Sequence, residues 1–209
     1  MKKEISIIDS GLSNIYNVCQ AFRYIGMTAN IITNSSDKIG DYLVLPGVGS
    51  FEKGMIELHD RGLVDKITQH VTSNKPFLGI CLGMQMMLEK STEFGNFSGI
   101  GIIKGTVNRI PSYNANNIKH KIPHIGWNQN NILNKTNKIL KNIPNMMSMY
   151  FVHSYMAQVK NAEHLIASCD YNGISITSII SQNNSYGCQF HPEKSGDEGL
   201  MILRNFSEL

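Results

Sequence analysis

The chain has 209 residues, 42% of them apolar and 17% charged, with 19 basic against 16 acidic side chains. That composition excludes a disordered chain, a net charge of +3 is too small to point to nucleic acid, and no apolar run reaches the roughly 18–20 residues of a membrane helix. The four cysteines, Cys19, Cys81, Cys169 and Cys188, contain no CxxC pair, which excludes a disulfide framework and a structural zinc site and implies free thiols in a reducing compartment.

The predicted elements begin with an apolar β-branched run, Glu4 to Asp9, ending in Ser10-Gly11. Ser6 and Asp9 interrupt it, so it reads as a first strand and not as a signal peptide, and the expected location is cytoplasmic. Ser13 or Asn14 can cap a helix on which Ile15, Val18, Cys19, Phe22 and Ile25 share a face, with Gly26 ending it. Thr28–Thr33 and Tyr42–Leu45 read as strands, the latter stopped by Pro46-Gly47. Leu63, Ile67 and Val71 mark a helix face. Phe77–Ile80 is a short buried strand, and Met84–Glu89 has the composition of a helix. Alternating strands and helices with short connections predict parallel strands joined by right-handed crossovers.

The second half is richer in strands: Thr106–Ile110, Met149–His153, Leu165–Cys169, Ile174–Ile180 and Tyr186–Phe190, then a closing helix over Glu198–Phe206. Several of these strands can extend the sheet in antiparallel fashion. The Asn- and Lys-rich stretch 111–145 is read as loops around the island Ile122–Asn128. No repeat and no linker divides the chain, so one domain over residues 1–209 is expected. The fold class is therefore α/β, a mostly parallel central sheet flanked by helices with an antiparallel extension.

Three local patterns carry chemistry. Gly79-Ile80-Cys81-Leu82-Gly83 has the form G-x-C-x-G, the thiol counterpart of a nucleophile elbow, with a strand pattern before it and a helix pattern after it. Such a turn exposes the nucleophile on strained backbone, and the Leu82 N–H points to where an oxyanion would form. The same pentapeptide also fits a buried cysteine between packing glycines. In Phe190-His191-Pro192-Glu193 the proline drives His191 into extended geometry, and a carboxylate two residues on can orient the imidazole; a surface loop is the competing reading. Pro46-Gly47-Val48-Gly49 follows the third strand and can turn N–H groups to an anionic oxygen, or form a plain connecting turn. It lacks the GK[ST] ending of a P-loop.

Together with Gly79–Gln85, Leu45–Gly49 and Phe190–Ser195, the blocks Ile122–Asn128 and Tyr150–Tyr155 resemble those of the class I glutamine amidotransferases, in family order over essentially the whole chain. Within that family the blocks are similar to those of the glutaminase subunits of imidazole glycerol phosphate synthases. The resemblance implies a flavodoxin-like sheet and hydrolysis of L-glutamine to glutamate and ammonia. It makes Cys81 the nucleophile, His191 the acid–base and Glu193 its orienting carboxylate. It places oxyanion donors at Val48, Gly49 and Leu82, and contacts to substrate at Gly47, Gln85, Ser154 and Tyr155. It further implies a heterodimer with a (β/α)8-barrel synthase that receives the ammonia, with Trp127, Tyr150 and Lys194 at the interface. It implies no metal, cofactor, nucleic acid or membrane. His124 and His153 are expected to make structural hydrogen bonds, and Met84, Met86 and Met87 to pack a helix. His59, His70, His120 and His164 lack partner spacing for metal or catalysis.

Two readings stay open beside this one. A paralogous glutaminase would feed a barrel-type partner in nitrogenous sugar or surface-polysaccharide synthesis, and a catalytically silent module would keep only the fold. The first turn, Asp9–Asn14, and Met156 depart from frequent family residues without touching the three catalytic candidates.

Overall fold

The computed structural model describes residues 3–209. Strand β1 (Glu4–Ile8) is apolar on both faces, with Ile5, Ile7 and Ile8 fully buried, as an interior parallel strand must be. Helix α1 (Ile15–Tyr24) leads to β2 (Thr28–Ile32), and β3 (Leu43–Gly47) carries the chain into α2 (Phe51–Asp60), α3 (Leu63–Thr72) and β4 (Phe77–Cys81). Alternation then divides the core. Leu43, Leu45 and Phe77 pack with Met55, Leu58, Leu63 and Ile67 on one face of the sheet. Val44, Leu78 and Ile80 pack with Val18, Phe22, Ile202 and Phe206 on the other.

A short α4 (Leu82–Met86) is followed by β5 (Leu88–Ser91), β6 (Phe97–Ser98) and β7 (Ile103–Arg109). The later strands are β8 (His124–Ile132), β9 (Met146–His153), β10 (Tyr155–Val159), β11 (Leu165–Tyr171), β12 (Ile174–Gln182) and β13 (Ser185–Cys188), and α5 (Gly196–Ser207) closes the chain. Nine strands form the main sheet in the order β2-β1-β3-β4-β13-β12-β11-β8-β9. From β2 to β13 the pairings are parallel; from β13 to β9 they are antiparallel. A second sheet, β10-β7-β5-β6, packs beside α4 and supplies Tyr155 to the region next to the elbow.

Three expectations need correction. The segment Met84–Glu89 is not one helix: α4 ends at Met86 and Leu88 starts β5, paired with β7. Every residue from Leu82 to Leu88 is buried, so no exposed face gave a period to read. The stretch 111–145 is mainly loop, as expected, but its island is a strand that runs on past Asn128: β8 has nine residues, ends at Ile132 and pairs with β9 through eight register positions. Its polar run Asn128–Asn131 has poor strand propensity, and pairing on both sides overrides it. Helix α2, strand β6 and strand β10 were not anticipated at all.

Candidate active site

Parallel strands β3, β4 and β13 lie side by side, so their carboxyl ends meet. That is where open α/β sheets bind ligands. Cys81 is the last residue of β4 and the cap of α4, at φ 54° and ψ −109°, a conformation L-residues rarely adopt. The turn is forced by close packing. A β-carbon on Gly83 would fall on the Leu45 carbonyl oxygen, and one on Gly79 would press on Met87 Sδ and the Gly83 backbone.

His191 lies three residues beyond β13, in extended backbone at φ −98°. Its N–H donates to the Tyr150 carbonyl, which ties it to β9. Nδ1 meets Glu193 Oε1 at 2.8 Å, with both side chains almost fully buried. Here the expected geometry is right in outcome and different in cause: Pro192–Lys194 forms a 3-10 turn, and this turn swings Glu193 back onto the ring. The other ring nitrogen, Nε2, is buried with no hydrogen-bond partner of its own and is the one left for the Cys81 sulfur. Burial alone would lower the imidazole, but the Cys81 sulfur and the Glu193 carboxylate flanking it raise its pKa to about 10. A proton on this ring is held between two acceptors, which suits transfer to a leaving amine.

A cleft of about 340 Å3 opens over Cys81. Val48, Gly49, Leu82, Gln85, Ser154 and Tyr155 line it. Gly47 does not. It is buried below the elbow in register with Cys81, and a β-carbon there would crowd Leu82 and the Gly83 backbone, so it serves close packing. The Val48 N–H is also not free for an oxyanion here, because it donates to the Leu12 carbonyl at 2.7 Å. Gly49, at φ 101°, holds the turn that follows.

Two lining or supporting groups, Glu93 and Gln189, escaped the sequence reading. Glu93 is a buried carboxylate in the cleft wall; it accepts from the Phe51 N–H at 2.6 Å, and burial raises its pKa. Gln189 is fully buried and reaches Cys81 Sγ. Its only sequence signal was the strand period, which puts residues 189 and 191 on one face. His153 lines the cleft and hydrogen-bonds His124 at 3.0 Å. Its Nδ1 faces the Tyr155 carbonyl at 2.8 Å, and since a carbonyl only accepts, the proton sits on His153 Nδ1 and the next one on His124 Nδ1. Burial lowers His153 to about 3 and His124 to about 4, so both are neutral near pH 7.

Outside the cleft, Trp127 and Tyr150 are register partners on β8 and β9, with rings 6.1 Å apart. Trp127 and Ile125 are more than half exposed. Ser195 Oγ accepts from the Tyr150 N–H, so the 3-10 turn carrying the exposed Lys194 docks on the same strand. Cys19, Cys169 and Cys188 are buried packing thiols. Among the described residues no cluster of His, Cys, Asp or Glu could hold a metal ion.

Comparison with known proteins agrees with this geometry. The family described as glutamine amidotransferase class-I matches residues 6–208. The chain is 47% identical to imidazole glycerol phosphate synthase subunit HisH 1 of Legionella pneumophila (strain Lens), covering 98% of this chain and 99% of that one. It is 43% identical to the HisH subunit of Caldanaerobacter subterraneus, with 98% of each covered. Among solved structures, PurLQS from Thermotoga maritima superposes with a TM-score of 0.75 at 16% identity, covering 99% of this chain and 98% of that one. A glutamine amidotransferase from Thermotoga maritima superposes with a TM-score of 0.63 at 16% identity, covering 98% and 90%. An elbow cysteine at the end of β4, a histidine–glutamate pair beyond β13 and a family match over nearly the whole length have one common reading: this chain belongs to the class-I glutamine amidotransferases.

Proposed function

We propose that this chain is the glutaminase subunit of an imidazole glycerol phosphate synthase, folded as one domain over residues 1–209 and acting in the cytoplasm. The observation that carries the reading is the Cys81–His191–Glu193 arrangement under a glutamine-sized cleft, in a chain whose relatives bear that name. Among the described residues no helix is long and apolar enough to cross a membrane.

In this reading the Cys81 thiolate attacks the side-chain amide carbon of L-glutamine and a tetrahedral oxyanion forms. The Leu82 and Gly49 N–H groups stabilise it, and the Val48 N–H joins them only when it leaves the Leu12 carbonyl. His191 protonates the departing ammonia, then takes a proton from the water that hydrolyses the thioester. Glu193 holds the ring and its charge throughout. Glu93 is the one carboxylate in the cleft wall and is the natural partner for the substrate's α-ammonium group. The exposed strip of Ile125 and Trp127, bordered by Tyr150 and Lys194, is the face offered to a (β/α)8-barrel synthase that consumes the ammonia.

Complementation of a histidine auxotroph lacking this subunit tests the pathway, and glutamate release by the purified complex tests the chemistry. Growth and glutamine-dependent synthesis are expected. Cys81→Ala is expected to lose glutamine-dependent synthesis while ammonia-dependent synthesis by the partner continues. No growth with a stable, partner-bound protein would remove the pathway, and no glutamate release would remove the glutaminase.

A further inference from the structure

Gln85 in the cleft lining and Gln189 behind it form a buried pair of primary amides that the chemistry above does not use. Gln85 Nε2 lies 3.0 Å from the Tyr155 carbonyl oxygen and 3.0 Å from Gln189 Oε1. Gln189 Nε2 lies 3.7 Å from Cys81 Sγ. Gln189 is wholly inaccessible, and its own backbone N–H donates to the Ser178 carbonyl at 2.9 Å.

Counting donors settles which way both amides face. The Tyr155 carbonyl can only accept, so the Gln85 group beside it is the NH2, and its second proton goes to an acceptor. That acceptor is Gln189 Oε1, which leaves the Gln189 NH2 toward the sulfur. The carbonyl that starts this chain is itself held from the other side by His153 Nδ1. Nothing in the relay can be turned over without setting two donors or two acceptors against each other.

A buried amide is costly unless its protons find acceptors. A neutral thiol is a weak acceptor, whereas a thiolate accepts a charge-assisted hydrogen bond. The donor therefore favours the charged form of the sulfur over the neutral one, and it holds that sulfur at a set place below the cleft. We infer that Gln189 is a further catalytic residue, whose amide N–H donates to the Cys81 thiolate, and that Gln85 is the positioning residue that keeps this amide in the donating orientation. The inference rests on the glutaminase reading for the step that it assists, and on geometry alone for the contact. It also changes what Gln85 can do for substrate. With both of its protons committed to the protein, Gln85 has only its carbonyl oxygen to offer, as an acceptor.

The test is alkylation of Cys81 by iodoacetamide in the full chain at pH 7, without glutamine or partner. The reaction is selective because Cys19, Cys169 and Cys188 are buried thiols whose pKa values burial raises. For Gln189→Leu, loss of a charge-assisted hydrogen bond of about tenfold strength removes the donor that holds the charged sulfur, while the freed sulfur is the more nucleophilic, so alkylation is expected to slow about threefold. With the partner present, kcat should fall by at least a similar factor while KM for glutamine stays within about twofold, since Gln189 does not line the cleft. Gln85→Met leaves Gln189 in place, removes its orienting partner and should also slow alkylation. Melting temperature is followed for both, so that a folding defect is read separately. A folded Gln189→Leu protein that alkylates at the parent rate overturns the inference. If that variant does not fold, an unchanged rate in Gln85→Met overturns it. Failure of the parent complex to release glutamate would remove the glutaminase reading and leave the alkylation result standing.

Discussion

The strain at the elbow can be measured by comparing two substitutions of one residue. Cys81 sits at φ 54° and ψ −109°, held there by the close packing of Gly83 on the Leu45 carbonyl. A side chain in such a region costs on the order of 1–3 kcal/mol, which the surrounding structure has to supply. Cys81→Ala keeps a β-carbon and therefore keeps the strain. Cys81→Gly removes it, against a cost of about 0.5–1 kcal/mol for the looser unfolded chain and the smaller buried side chain. Taking about 2 kcal/mol for the strain, the glycine variant should be the more stable by about 1 kcal/mol, which is roughly 2–4 °C in melting temperature for a chain of this length. At an unstrained position the same comparison has the opposite sign. Both variants lack the thiol and should release no glutamate, so stability is read without interference from turnover. Urea unfolding, with the slope m compared between variants, gives the difference directly. If the alanine variant is as stable as the glycine variant or more so, the elbow stores no strain and the argument from its dihedral angles is wrong.

Two other perturbations follow from the same packing and from the buried histidines. Gly83→Ala should lower stability by about 1–3 kcal/mol and displace the nucleophile, because its new methyl meets backbone and not a movable side chain; a urea midpoint equal to that of the parent would count against it. Stability should peak near pH 6.5. His153 and His124 have pKa values depressed to about 3 and about 4, so below 6.5 the unfolded chain binds more protons and stability falls toward pH 4. His191 is raised to about 10, so its contribution is complete below 6.5 and is lost as pH rises toward 10. Urea unfolding across pH 4–10 reads both limbs; His191→Ala should flatten the alkaline one, and a flat acid limb in the parent would show that the histidine pair is not held neutral.

The parts of the site that were legible are those in which a few adjacent residues set their own geometry. The elbow could be read from Gly79, Cys81 and Gly83 because strand, tight turn and helix need those sizes in that order. The His191–Glu193 pair could be read from a spacing of two, even though a 3-10 turn and not an extended strand brings the carboxylate to the ring. The cores of β1, β3 and β4 announced themselves as continuous apolar runs, the mark of strands buried on both faces. Strand β8 did not, because its Asn-rich half is held in the sheet by neighbours 15 or more residues away in sequence and not by its own propensity. Glu93 and Gln189 were invisible for a related reason: each is an ordinary polar residue until folding buries it beside the cleft.

The sequence by itself therefore determined the fold class and singled out the three residues proposed as nucleophile, acid–base and orienting carboxylate, since these depend on local backbone chemistry and on runs of buried side chains. Only the tertiary structure decided what surrounds them. It set β4 beside β13, which brings residues 81 and 191 to one edge. It tied the Val48 N–H to Leu12 and turned the Gln189 amide to the sulfur. Hydrogen bonds between distant segments depend on which groups folding leaves without water, and no short stretch of sequence contains that information.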